Sequence, residues 1–361
     1  MSRVLVLTAS VGEGHDLPAR TLTAQILAEE PGAEVVVEDG LAVMGRLFQL
    51  TSEQVPGVIF HRAQWLWDLC FWLVAGFGPS RRGFRRLAIR IGAPRLLRLV
   101  DEVQPDVVVS VYPITTEVLA AMRRRGRLKV PLAAGITDLA MMRWWAAPGV
   151  DLHLVTHPES IEEVHEVAGL ETRVEVVHGL TRPEFAHPCD RVEARRAVGL
   201  PADGKVVLVS GGGWGVGDLV TAIDESLGLD VAVVVALCGR NDALKSRLEA
   251  SYAEEERVRV VGFTDQMSEW LGAADALVHS TGGLTVLEAN LRGCPTISYG
   301  WGRGHIRANN RAFRRYGLAE VAGSRAELVT ALETALAGRR PSDQPFGKLP
   351  SAASLVLALI V

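Results

Sequence analysis

The sequence predicts two doubly wound α/β domains in series. Short β-branched runs alternate with helical patterns. The alternation breaks once near the middle and then restarts. Glycine-rich segments follow several of the strands. Strands that alternate with helices imply crossover connections and a parallel sheet. The runs are continuously apolar, as expected of strands covered on both faces. A length of 361 residues also exceeds what one core usually serves.

In the first half, Arg3–Ala9 reads as a buried strand. Leu17–Glu30 reads as a helix, with Leu22, Ile26 and Leu27 at helical spacing. Further strands are expected at Glu34–Glu38, Asp106–Ser110, Pro131–Ile136, Asp151–Val155 and Val174–Val177. Pro183, Pro188 and Pro201 then punctuate a polar stretch with one short helix at Glu193–Val198. The second series has strands at Lys205–Ser210, Asp230–Leu237, Val258–Val261, Ala276–His279 and Pro295–Tyr299, with helices at Thr285–Leu291 and Glu327–Ala337. The domains expected are residues 1–179, a linker with a first helix at 180–204, residues 205–345, and a C-terminal helix at 346–361 packing back on the first domain.

Apolar content of 48% suffices for sizeable cores, and a formal charge of −4 argues against a general nucleic-acid binder. Four scattered cysteines without a C-x-x-C pair signal neither a zinc site nor a redox motif. The longest apolar runs, Leu69–Gly78 and Ser354–Val361, fall short of the roughly 20 residues of a spanning helix. The opening run Val4–Leu7 is too short for a signal peptide, so a cytoplasmic protein is expected.

In doubly wound sheets, ligands bind beyond the carboxyl ends of the strands. Three glycine-rich segments fall there. Gly12 and Gly14, with His15, follow the first strand. This is not G-x-G-x-x-G, and its plainer reading is a tight turn. Gly211-Gly212-Gly213 follows the strand at Lys205–Ser210 and suits a phosphate cradle; no Gly-Lys-Ser/Thr follows, so it is not a P-loop. The third, Ser280-Thr281-Gly282-Gly283-Leu284-Thr285, joins a strand to a helix whose first N–H groups suit a diphosphate. Glu288, about one turn inside that helix, is placed to accept from a ribose diol; the alternative is a surface glutamate.

Gly262-Phe263, Met267, Ala274-Asp275, Ser280–Thr285, Glu288, Gly293 and Pro295 resemble the donor half of the GT-B glycosyltransferases. The chain looks most like monogalactosyldiacylglycerol synthases and the peptidoglycan lipid-II-forming GlcNAc transferase, of the family-28 type. Ser10–His15 resembles the synthases' S-x-G-x-G-H loop, and Ile136–Leu139 with Trp144 or Trp145 resembles their T-D segment. The resemblance covers about 300 residues in matching order. It implies two Rossmann-like domains facing a central cleft, with the acceptor in the first and a UDP-sugar in the second. Gly211–Gly213, Ser280–Gly283 and Thr285 would face the diphosphate, Phe263 and Met267 the base, and Glu288 the ribose. A sugar-reading loop would follow Pro295, with Arg303, Gly304, His305 and Asn309 or Asn310 as candidates; the family's Gln or Glu is missing from it.

No Asp-x-Asp occurs, so neither a metal nor another cofactor is expected. Helix N-termini and side chains would stabilise the leaving diphosphate instead. His15 and Asp138 are the candidates for the base that deprotonates the acceptor hydroxyl. The plainer readings are a structural histidine and a helix cap.

Leu69–Val100 holds no acidic residue but carries Arg81, Arg82, Arg85 and Arg86, with Trp65, Trp67 and Trp72 beside them. Aromatics next to arginines suit an anionic headgroup interface, and a buried aromatic helix followed by a solvated basic one is the alternative. The expected function is metal-independent, inverting transfer of a hexose from a UDP-sugar to a diacylglycerol-like or polyprenyl-linked lipid. The enzyme would lie peripherally at the inner face of the cell membrane. A sugar-nucleotide 2-epimerase of the same fold and a non-catalytic nucleotide-sugar binder are the alternatives.

Overall fold

The computed structural model describes residues 1–9, 13–53, 78–140, 142–300, 302, 304–338 and 346–360. The chain forms two compact units, Met1–Pro183 with Lys348–Val361, and Glu184–Gly347.

The first unit holds a six-stranded parallel sheet. Its strands are β1 (Arg3–Thr8), β2 (Glu34–Asp39), β3 (Val107–Ser110), β4 (Leu132–Ile136), β5 (Leu152–Val155) and β6 (Val174–Val176), in the order β2-β1-β3-β4-β5-β6. Side chains of a strand alternate between faces. Leu5 and Leu7 of β1 pack with Leu41, Met44, Leu96, Leu119 and Met122, from helices Gly40–Met44, Gly78–Val103 and Pro113–Arg124. Val4 and Val6 pack on the other face with Ala19, Leu22 and Ile26 of helix Glu13–Glu29 and with Ala352, Ala353 and Val356 of helix Ala352–Leu357. Both faces are covered, which is why the strands read as unbroken apolar runs. Leu27, placed by spacing on the apolar face, is exposed instead, because the buried stripe runs through Ala19, Leu22 and Ile26.

The second unit repeats the plan with β7 (Val206–Ser210), β8 (Val233–Leu237), β9 (Val258–Val261), β10 (Ala276–His279), β11 (Thr296–Ser298) and β12 (Glu320–Val321), in the order β12-β11-β10-β7-β8-β9. β8 begins three residues later than its sequence suggests. At the foot of β10, buried Asp275 accepts from Arg191 Nη2 (2.7 and 2.8 Å), Arg195 Nη2 (3.1 Å) and Val206 N (2.9 Å). These contacts tie the helix Arg191–Ala197 to the start of β7.

Each sheet has one place where successive strands depart in opposite directions: between β1 and β3 in the first unit, and between β7 and β10 in the second. Such switch points leave a crevice at the carboxyl ends of the strands.

Candidate active site

In the second unit the loops leaving β7 and β10 interlock at the switch point. Gly212 N donates to Ser210 Oγ (3.2 Å), Val216 N to the Gly211 carbonyl (2.9 Å), and Ser280 Oγ to the Val216 carbonyl. Gly212 has φ +68° and Gly217 φ +121°. A Cβ at Gly212 would lie 2.7 Å from Thr281 Cγ2, and one at Gly217 2.6 Å from Ser280 Oγ. Glycine is therefore required there both for conformation and for close approach. The helix Gly283–Leu291 starts directly beyond, and its N-cap Gly282 makes no side-chain cap bond. Gly211, Gly212, Gly213, Ser280, Thr281, Gly282, Gly283 and Thr285 accordingly belong to one loop-and-helix-start cluster.

Two neighbouring loops join it. Arg240, after β8, donates its backbone N–H to the Gly213 carbonyl (2.8 Å) and stacks its guanidinium 3.7 Å from the centroid of exposed Phe263. Met267 opens the next helix, Met267–Ala273. Glu288 is buried rather than a surface residue. Arg240 was not among the residues singled out by sequence, although its position directly beyond a strand was a signal.

His279 ends β10. Its Nδ1 accepts from Thr281 N (3.2 Å) and lies 2.9 Å from Thr281 Oγ1. Burial pushes its pKa down to about 4. The segment expected as a sugar-reading loop is a helix from Gly304 to Tyr316. Ile306, Asn309 and Phe313, at helical spacing, turn one buried face inward. Asn310 Oδ1 accepts from Ser298 Oγ (2.7 Å). Arg303 and the His305 side chain lie outside the described residues.

In the first unit the helix after β1 starts at Glu13, four residues before the expected Leu17, so Gly14 and His15 occupy its first turn. Pro18 lies inside this helix and has no N–H to donate to Gly14 four residues back. The Gly14 carbonyl instead takes the hydroxyl of Thr137, just past β4 (3.4 Å). That contact brings the β4 end, with half-buried Asp138 next in sequence, to the His15 turn. The His15 ring lies edge-on to Tyr112 (4.9 Å between centroids) and tilted against Trp145 (5.5 Å). Tyr112 follows β3, so His15 and Tyr112 flank the switch point. Burial, with a smaller contribution from the Asp39 carboxylate, pushes the Tyr112 phenol above its ordinary range and keeps it protonated. Gly12 lies outside the described residues.

Trp65, Trp67 and Trp72 also lie outside them. Arg81, Arg82, Arg85 and Arg86 sit on helix Gly78–Val103, and Arg85 pairs with Glu117. Among the described residues no helix is long and apolar enough to cross a membrane, and no group of three or more His, Cys, Asp or Glu is placed to hold a metal.

Residues 23–180 match the monogalactosyldiacylglycerol (MGDG) synthase family, and residues 205–337 match glycosyl transferases group 1. A processive diacylglycerol beta-glucosyltransferase of Bacillus subtilis is 28% identical over 344 residues, 93% of this chain and 87% of its own. Chloroplastic monogalactosyldiacylglycerol synthase 1 of Arabidopsis thaliana is 35% identical over 222 residues, 57% of this chain and 41% of its own. The crystal structure of MurG from Acinetobacter baumannii superposes with a TM-score of 0.59 over 100% of this chain and 99% of its own, at 15% identity, a likeness of fold.

Proposed function

We propose that this chain, a hexosyltransferase of the GT-B glycosyltransferases, moves a hexose from a UDP-sugar to a hydroxyl of a diacylglycerol-type lipid, inverting the anomeric centre without a metal ion. The observation that carries the donor assignment is the interlocked pair of glycine loops at the β7–β10 switch point, which lead directly into the helix Gly283–Leu291. A leaving diphosphate suits that place, because fixed backbone dipoles of the Ser280–Gly283 segment and the Thr285 hydroxyl oppose its developing charge. Phe263, with Arg240 stacked on it, and Met267 supply the surface for the base; Glu288 accepts from the ribose. Asn309 and Asn310, with Gly304 at the start of their helix, belong to the sugar side. The lipid acceptor follows from the diacylglycerol glycosyltransferases that the chain resembles along its length.

In the reaction the acceptor oxygen attacks the anomeric carbon as the bond from that carbon to the diphosphate oxygen breaks. His15 takes the hydroxyl proton through its ring, held between Tyr112 and Trp145, and Asp138 steadies the imidazolium that results. UDP carries away the electron pair of the broken bond. The enzyme works at an anionic membrane surface on the cytoplasmic side, which the arginines of helix Gly78–Val103 attract.

The test is UDP release from UDP-glucose, UDP-galactose and UDP-GlcNAc, with mixed lipid vesicles that contain or lack diacylglycerol. Diacylglycerol-dependent release from one donor, abolished by Glu288→Ala, supports the reading. Absence of such release from every donor rejects it.

A further inference from the structure

Three loops at the carboxyl edge of the second sheet stand in the order of their strands. The glycine loop follows β7, Gly239-Arg240-Asn241 follows the neighbouring β8, and Phe263 follows β9. Paired strands are about 4.8 Å apart, so β7 and β9 lie about 10 Å from each other with β8 between them. A line from a diphosphate at the glycine loop to a base at Phe263 therefore crosses the loop that carries Arg240.

That loop is fixed to the glycine loop at three consecutive residues. Arg240 N donates to the Gly213 carbonyl (2.8 Å), and Asn241 Nδ2 donates to the Trp214 carbonyl (3.3 Å). Gly239 has φ +58°, and a Cβ there would lie 2.4 Å from the Gly212 carbonyl oxygen. Asn241 also caps the helix Asp242–Ser251 by accepting from Leu244 N (2.9 Å). The backbone of Arg240 is thus held from both sides, while the residue itself is exposed.

Its guanidinium carbon lies 3.7 Å from the centroid of the Phe263 ring. A guanidinium stacked on a ring engages its face, and its N–H donors point outward from the rim of the plane. Phe263 stays 44% exposed, which leaves ring surface for a base. The nearby ammonium of Lys245 lies 2.5 Å from Glu249 Oε1, so its charge is already met. A departing diphosphate gains a full negative charge, whereas a helix start offers only about half a positive one.

We infer that Arg240 is a catalytic residue of the donor site. Its guanidinium, steadied on Phe263, donates to the diphosphate oxygens of the UDP-sugar. It opposes the charge that arrives on the β-phosphate oxygen as the bond to the anomeric carbon breaks. The electron pair goes to that oxygen and the guanidinium keeps its protons. Phe263 acts as its positioning residue. This deepens the proposed function and rests on its donor assignment.

The test is calorimetric titration of the full chain with uridine and with UDP, for the unaltered chain, Arg240→Ala, Arg240→Lys, Phe263→Leu and the double variant Arg240→Ala with Phe263→Leu. Circular dichroism confirms that each is folded. Arg240→Ala is expected to weaken UDP about tenfold or more and uridine less than about twofold. Arg240→Lys, which keeps the charge but loses the plane, should recover part of the loss. Phe263→Leu should cost UDP more than uridine, and that excess should vanish in the double variant. Turnover of Arg240→Ala should fall about 100-fold in kcat. Equal losses for uridine and UDP, an unchanged UDP affinity, or no UDP binding by the unaltered chain overturns the inference. Affinities are read without acceptor or turnover. A UDP-selective loss in a chain that shows no diacylglycerol-dependent release therefore counts against the proposed reaction and leaves the diphosphate contact standing. Normal release by Arg240→Ala does the opposite.

Discussion

His279 Nδ1 accepts the backbone N–H of Thr281 at 3.2 Å. A backbone nitrogen can only donate, so Nδ1 must carry the lone pair and the ring proton sits on Nε2. The imidazole thereby fixes the turn between β10 and the helix that starts at Gly283. On the proposed donor assignment, His279→Leu removes the acceptor and is expected to raise the KM for the UDP-sugar about tenfold. His279→Asn, which offers a carbonyl oxygen near the Nδ1 position, should restore most of the affinity. Steady-state kinetics with varied donor checks this; identical behaviour of the two variants would refute the positioning role.

Burial pushes His153 and His279 down to about 4 and His157 to about 3. In the unfolded chain each returns to about 6.5. As pH falls below that value, the unfolded state binds protons that the folded state refuses, so stability falls. The loss runs from about pH 6.5 down to the folded values, at roughly 1.4 kcal/mol per pH unit for each histidine. Above pH 6.5 the three contribute no slope. Urea midpoints between pH 8 and pH 4.5 check this, and a midpoint that does not move between about pH 6.5 and 4.5 contradicts it.

On the proposed mechanism, His15→Ala removes the base from the first unit and leaves the donor loops of the second untouched. It is expected to lower kcat about 100-fold or more with UDP affinity unchanged. Turnover and calorimetric titration with UDP separate the two quantities. A parallel loss of UDP affinity would assign His15 a different role.

Asp275 is buried against Arg195, whose side chain is only 4% exposed. Asp275→Asn leaves that guanidinium charged and without its carboxylate in a dry place. A destabilisation of about 3 kcal/mol or more follows. Urea unfolding followed in the second unit measures it; a change below about 1 kcal/mol would mean that the Ala202 and Gly204 carbonyls satisfy Arg195 without the carboxylate.

The two sheets were legible in the sequence because each buried strand is an apolar run that stops at glycine or a polar turn, as at Ser210-Gly211 and His279-Ser280. The rest was hidden for identifiable reasons. Gly12 and Gly14 look like a loop, yet the helix reaches back to Glu13, where Thr137 takes up the carbonyl that Pro18 leaves open. Gly300, Gly302 and Gly304 suggest a long loop, and Asn309 on the buried face of the following helix disguises its apolar stripe. β12 spans only Glu320–Val321, too short for any periodicity. Arg240 acts through neighbours contributed by two other loops, a proximity that only the sheet order reveals.

The first unit is sewn shut by residues that follow the second unit in the chain. His178 N donates to the Pro350 carbonyl and Ala352 N to the His178 carbonyl, while Ala352, Ala353 and Val356 cover Val4 and Val6. A ribosome makes β1 before this covering helix, with the entire second unit between. The second unit is one uninterrupted segment, so it can reach its native state during synthesis, while the older half of the chain still shows an uncovered sheet face. A nascent chain is thus vulnerable in the part made earlier, and a chain cut short before Ser351 is expected to have a protease-sensitive first unit and an intact second.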